Sequence, residues 1–427
     1  MKKNDIFMRR VRRLFARGVM LTMLAGALLL QEGCSGTGGS GESSALTQTE
    51  DPRSGQTTEP AETPAPTPTP EPASDPEETS DPEPAESETE IAAPTPAELP
   101  AISPDYDLYG AKAYSYLKEL VGNYPYRTCG SDQEKAAGEW IKGKLESFGY
   151  EVRRQDFRLI DQNSDNYPDD AIGLDQATEY PVLGTSRNYF CTKPGKTGKI
   201  LVISAHYDCV DTTGTDDNGS GVAALLELAE HYKNMDPLEY TLLFAFYGSE
   251  EPGMMGSVYH VRELMGNGGF ENIAGVINID SIAAGDNLYI HGGMPQEDGS
   301  ITQYGLAALA LKLSDAEGLG MTTHPDTDKI PEKTRVYGSD QFHFAANGKP
   351  YVYFEANLYS NTQPDNIPQW YQTADKRVPG GQIMHTEYDN LDTIETLWPG
   401  RTRDHLRRFE VILNLLLPNI TDSVLNA

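Results

Sequence analysis

Three apolar runs, Lys199–Ala205, Tyr240–Tyr247 and Ile273–Ile279, are separated by stretches with helical periodicity, Gly221–Tyr232 and Met255–Met265. Continuous apolar strands suit a parallel sheet buried on both faces. Their alternation with helices leaves few arrangements besides a sheet flanked by helices. The pattern continues in both directions. Helices are expected over Tyr109–Val121 and Gln133–Phe148, the second with Ala137, Trp140, Ile141, Leu145 and Phe148 near helical spacing and Gly149 as its stop. A strand is expected over Tyr150–Phe157, and the polar stretch after it, to Tyr180, shows no assignable period. Further on, strands are expected over Leu288–Ile290 and Pro350–Glu355, and helices over Ile301–Leu313 and Arg403–Leu417. No internal repeat is present. The expected fold class is α/β, a parallel or mixed sheet flanked by helices.

The first hundred residues have a different composition. Residues 1–34 begin with Lys2, Lys3, Arg9, Arg10, Arg12, Arg13 and Arg17, followed by a mostly apolar run from Gly18 to Leu30. This reads as an export signal, and is short for a spanning helix, which needs roughly 20 apolar residues. Cys34, followed by Ser-Gly-Thr-Gly-Gly-Ser-Gly, resembles a bacterial lipoprotein processing site, although Gln31 and Glu32 stand where an aliphatic and a small residue are usual. A lipid-anchored protein on the outer face of a bacterial membrane is expected, with ordinary secretion or a retained signal anchor as alternatives. Residues 35–103 read as a disordered acidic tether. Thirteen of the 29 prolines lie between Pro52 and Pro100 among Thr, Ala, Glu and Asp, too few apolar groups to offset chain ordering. Such a segment stays extended as a spacer. Residues 104–427 would form the folded domain.

A net charge of −30 argues against nucleic-acid partners. Besides Cys34 the chain has Cys129, Cys191 and Cys209, which permit one internal disulfide. Cys129 and Cys209, both in loops near the candidate site, are the expected pair. No zinc-finger spacing, Gly-x-Ser-x-Gly elbow, His-Glu-x-x-His helix or phosphate-binding glycine loop occurs.

The ends of the expected strands carry the chemistry. His206 lies in Ala-His206-Tyr-Asp208, Glu250 and Glu251 follow the second apolar run, and Asp280 follows the third. Ligands of open α/β sheets bind beyond the carboxyl ends of the strands, so three distant segments deliver imidazole and carboxylate groups to one edge. These are standard zinc donors. Asp217, in Asp-Asp217-Asn-Gly-Ser-Gly, and His385, in His385-Thr-Glu-Tyr-Asp-Asn, extend the set. Gly219 and Gly221 allow a tight turn behind Asp217, and Asp208 is spaced to orient the His206 ring. Taken singly, each group has an ordinary explanation: a capped surface histidine, a solvated Glu-Glu, an Asp-Asn-Gly turn, a helix cap. Five in order are not explained that way. The remaining histidines lack a comparable context.

These motifs resemble the co-catalytic zinc aminopeptidases of the clan MH peptidases, which include bacterial leucyl aminopeptidases and, as a divergent branch, glutaminyl cyclases. The likeness covers about Gly122 to Thr393 and begins at Arg127-Thr-Cys-Gly-Ser. It implies two Zn2+ ions, with His206 and Asp280 on one, Glu251 and His385 on the other, and Asp217 bridging. Glu250 would be general base and then acid, with Asp208 assisting. It also implies the α/β fold of zinc exopeptidases, a three-layer helix–sheet–helix sandwich around a mixed, mainly parallel sheet. Two departures stand out: Gln341, in Gly-Ser-Asp340-Gln341-Phe, replaces the family's usual histidine, and Met384 precedes His385 where some relatives carry tyrosine. Tyr337 is a candidate to polarise a substrate carbonyl.

The implied activity is an exported metallo-aminopeptidase that removes N-terminal residues from peptides through a water activated by two metals. The alternatives are a glutaminyl cyclase-like acyltransferase and a non-catalytic surface binding module on the same scaffold.

Overall fold

A computed structural model describes residues 99–160, 182–295, 301–323, 338–358 and 371–427. The expected export signal, Cys34, nearly all of the tether, and Tyr337 lie outside the described residues.

An eight-stranded sheet organises the molecule, in the order β1-β2-β4-β3-β5-β10-β6-β9. At its centre β3 (Ile200–His206) runs parallel to both β4 (Thr241–Tyr247) and β5 (Ile273–Ile279). These are the three apolar runs of the sequence. β1 (Val152–Ile160) and β2 (Val182–Lys193) are added antiparallel on one side. On the other side β10 (Tyr351–Asn357) is parallel to β5, β6 (Asn287–His291) is antiparallel to β10, and β9 (Met321–Thr322) is parallel to β6. A separate two-stranded ladder joins β7 (Gly293–Pro295) to β8 (Ile301–Gln303).

Alternation along β3 separates two cores, because successive side chains of a strand point to opposite faces. Leu201, Ile203 and Ala205 face the larger core, against α1 (Ala111–Asn123), α2 (Asp132–Ser147), α3 (Gly221–Lys233), α5 (Gly305–Ala316) and α8 (Arg401–Asn419). Val202 faces the smaller core, with Val261 of α4 (Met255–Gly266) and Phe344 of α6 (Phe342–Ala345). Two short helices, α7 (Leu391–Leu397) and α9 (Asp422–Leu425), complete the C-terminal part. Packing reaches before Pro104: Ile102 is buried, and Pro100 O accepts Nη2 of Arg408 at 2.6 Å.

One expectation needs correction, and one strand was not expected. The helix expected from Ile301 begins at Gly305, because Ile301–Gln303 pairs with β7 instead. Strand β2, where no element was expected, carries Ser186 and Asn188 inside the structure. Both polar groups are matched: Ser186 Oγ donates to Glu134 Oε1, and Asn188 Nδ2 donates to Gln155 Oε1 and Gly256 O.

Candidate metal centre

His206 is the last residue of β3 and is about 1% exposed. Its parity places it on the smaller-core face with Val202 and Ser204. Asp280, directly after β5, follows Val276 and Asn278 onto the same face. A buried chain of hydrogen bonds underlies them. Ser204 Oγ donates to Asn278 Oδ1 at 2.6 Å, Asn278 Nδ2 donates to Ser339 Oγ at 2.8 Å, and Ser339 Oγ donates to Asp280 Oδ2 at 2.7 Å. Gln341, the departure noted in the sequence, accepts the second N–H of Asn278 at 2.9 Å.

Asp217 sits in the turn Thr215–Ser220 that leads into α3. Asn218 fixes this turn to the end of β5. Its Nδ2 donates to Ile279 O at 2.9 Å, and its Oδ1 accepts the N–H groups of Gly221 and Ser281. Gly221 is required by close approach: a Cβ there would meet Asn218 Oδ1 at 2.3 Å and Ile279 O at 2.5 Å.

The two carboxylate oxygens of Asp217 face different imidazoles. Oδ1 lies 3.2 Å from His206 Nε2, and Oδ2 lies 3.0 Å from His385 Nε2. His206 Nε2 is also 3.3 Å from Asp280 Oδ1, and His385 Nε2 is 2.9 Å from Glu251 Oε2. Two compact donor sets result, His206–Asp217–Asp280 and Asp217–Glu251–His385, with donor atoms of each set within 4.8 Å of one another. Glu250 and Asp208 adjoin them. Asp208 Oδ1 is 3.5 Å from His206 Nδ1, and the Asp208 carboxylate accepts the N–H groups of both Glu250 and Glu251. All seven site residues expected from the sequence therefore meet in one region. A cavity of about 250 Å³ opens against His385, lined by Tyr126, Thr212, Thr213, Thr386 and Asn390.

The charge balance fits a cation. Among the described residues no lysine or arginine pairs with Asp217, Asp280, Glu250 or Glu251, and buried carboxylates need countercharge. Burial opposes charging His206, but Asp280, Asp208 and Asp217 outweigh it and hold its pKa well above the ordinary value. For His385, Glu251 and Asp217 likewise overcome burial and raise the pKa to about 11. Burial raises Glu251 to about 7, and the charge of Asp217 adds to it. Burial also raises Glu250, opposed by His206 and reinforced by Asp340, Glu251 and Asp280. The same negative field, lined by imidazole nitrogen and carboxylate oxygen, suits zinc.

Sequence reasoning did not single out several buried partners: Glu134, Asp216, Gln372 and Asp389. Asp216 and Asp389 stand inside motifs already noted. Gln372 has no sequence signal. The expected Cys129–Cys209 disulfide is absent, and all three domain cysteines are free. The Cys209 sulfur instead accepts the N–H of Arg127 at 3.1 Å and donates to Thr212 O at 3.6 Å.

The sequence profile described as Peptidase family M28 matches residues 188–409, and the chain belongs to that family. It is a peptidase, a hydrolase of the α/β zinc-exopeptidase fold. It is 25% identical over 333 residues to the alkaline phosphatase isozyme conversion protein of Escherichia coli K12, covering 73% of this chain and 90% of that protein. It is 38% identical over 94 residues to a probable lipoprotein aminopeptidase, LpqL, of Mycobacterium tuberculosis, covering 22% of this chain and 19% of that protein. Among solved structures, the zinc aminopeptidase BSAP of Bacillus subtilis shares the fold, with a TM-score of 0.53, 15% identity, and coverage of 77% of this chain and 98% of that one.

Proposed function

We propose that this peptidase is an exported aminopeptidase that releases N-terminal residues from peptides, using two zinc ions. His206, Asp217 and Asp280 would hold one ion, and Asp217, Glu251 and His385 the other. The observation that carries this reading is the carboxylate of Asp217, which turns one oxygen toward each histidine. When bound, the ions would supply Lewis acidity toward the scissile carbonyl and an attacking water. The Glu250 carboxylate would act as the base that accepts a proton from the attacking water and hands it to the nitrogen of the leaving amine. Asp208 holds the Glu250–Glu251 backbone in place while Ser339 and Ser281 orient Asp280 through their hydroxyls.

We further propose that residues 1–34 are an export signal with Cys34 as a lipid attachment point, and residues 35–103 a tether. The likeness to LpqL, a probable lipoprotein aminopeptidase, supports that arrangement.

Elemental analysis of purified protein together with a panel of aminoacyl and peptide substrates tests the reading. Two zinc equivalents and release of free N-terminal residues are expected. Glu250→Gln should keep its metal and lose about 10²–10⁴ in kcat, and a variant of normal rate would remove Glu250 from the mechanism. Cyclisation of glutaminyl peptides without release of an amino acid would replace the hydrolase with an acyltransferase. Protein that takes up no metal would leave only a binding module.

A further inference from the structure

Gln372 joins the segments that carry two of the donor side chains. It is completely buried. Its Nε2 donates to Asp216 Oδ2 at 2.6 Å, and its Oε1 accepts the N–H groups of Ile383 at 3.0 Å and Met384 at 2.6 Å. Its own backbone is anchored, with N–H donating to Gly381 O at 2.7 Å and the carbonyl accepting Asp286 N–H at 2.9 Å. Asp216 directly precedes Asp217, and Met384 directly precedes His385.

The same Asp216 carboxylate reaches a third segment: its Oδ1 accepts the N–H groups of Ala283 and Ala284, just beyond Asp280. Asp389 closes the arrangement from the other side, accepting the N–H of Asp216 at 2.6 Å. His385 has φ +60°, a left-handed conformation uncommon outside glycine. The peptide N–H immediately before it is one that Gln372 binds.

We propose that Gln372 is a positioning residue that sets His385 against Asp217 and thereby builds the second ion site. This rests on the two-ion reading given above. Glutamine suits the place chemically. The side chain must donate to a carboxylate on one side and accept from two amides on the other, which neither a carboxylate nor a cationic side chain does.

The test uses chelator-stripped full-length protein titrated with zinc alone, following each equivalent by calorimetry. The wild type should bind two equivalents. Gln372→Met, close in size but with neither donor nor amide acceptor, should keep the first equivalent at unchanged affinity and weaken the second by about 10–100-fold. Its metal-free unfolding temperature should fall, because the Asp216 carboxylate and the Ile383 and Met384 N–H groups lose a buried partner, and the first equivalent at wild-type affinity shows that the fold is retained. Asp216→Asn is the second variant, which carries the test where Gln372→Met does not fold. It keeps an oxygen for Ala283 and Ala284 but turns an amide N–H against that of Gln372, and the same selective loss is expected. Wild-type affinity for both equivalents in the variants overturns the proposal and leaves the two-ion reading standing. Equal weakening of both equivalents also overturns it, because that marks general loosening. A wild type that binds fewer than two equivalents overturns both readings together.

Discussion

Asp208 Oδ1 accepts the backbone N–H of Glu250 at 2.9 Å. The same oxygen stands 3.5 Å from His206 Nδ1, and the other Asp208 oxygen accepts the N–H of Glu251 at 3.2 Å. One completely buried carboxylate thus ties a donor histidine to the loop that carries the proposed base. Asp208→Asn offers an N–H where one of these acceptors stood. It should lower metal affinity and kcat by about 10–100-fold each, read from metal titration and steady-state kinetics. An unchanged metal affinity would restrict Asp208 to holding the loop.

How far this was legible follows from the physics of each residue. β5 and the start of α3 fall where the apolar runs and glycines placed them, since burial on both faces writes a continuous signal. His206 and Asp280 were visible because each ends such a run. Strand β2 was not, because Ser186 and Asn188 are buried only by virtue of partners on other elements. Gln372 and Asp216 are 156 residues apart in sequence, and no periodicity encodes a hydrogen bond between two loops.

Arg127 is completely buried and spends its guanidinium on backbone carbonyls: Tyr207 O through Nε, Tyr124 O and Thr213 O through Nη1, and Gly214 O through Nη2. Two of these carbonyls, Thr213 O and Gly214 O, directly precede the turn that carries Asp217. Arg127→Met leaves them without donors and should cost about 3–5 kcal/mol of stability. Arg127→Lys should not restore it, because an ammonium cannot reproduce the planar fan of donors. Urea unfolding of the three proteins checks both statements.

The free state of Cys129, Cys191 and Cys209 has a direct chemical readout. Cys191 and Cys209 are buried, and burial pushes the Cys209 thiol up to about 12. Native protein should therefore react slowly at these two positions. Unfolding without reductant should release three domain thiols to a thiol reagent, separate from Cys34. A titration that finds one would restore the Cys129–Cys209 disulfide.

Glu134 holds the residue before the proposed base. Its Oε1 accepts the hydroxyls of Ser186 and Ser249, and its Oε2 accepts the N–H of Gly130. Ser249 has φ +54°, so its conformation depends on such contacts. Burial, with the charge of Asp208 added, raises the Glu134 carboxyl from 4.5 to about 7. Between those values the folded chain binds the proton and the unfolded chain does not, so this group's contribution to stability is present below 4.5 and is lost as the pH rises through 7. Glu134→Gln mimics the protonated form and can donate to the two hydroxyls while accepting from Gly130. Its stability relative to the wild type should rise with pH, by at most about 1.4 kcal/mol per unit within that window. Urea unfolding of both proteins at pH 5 and pH 8 measures the difference. A gap that stays constant would mean that Glu134 is ionised in the folded protein throughout.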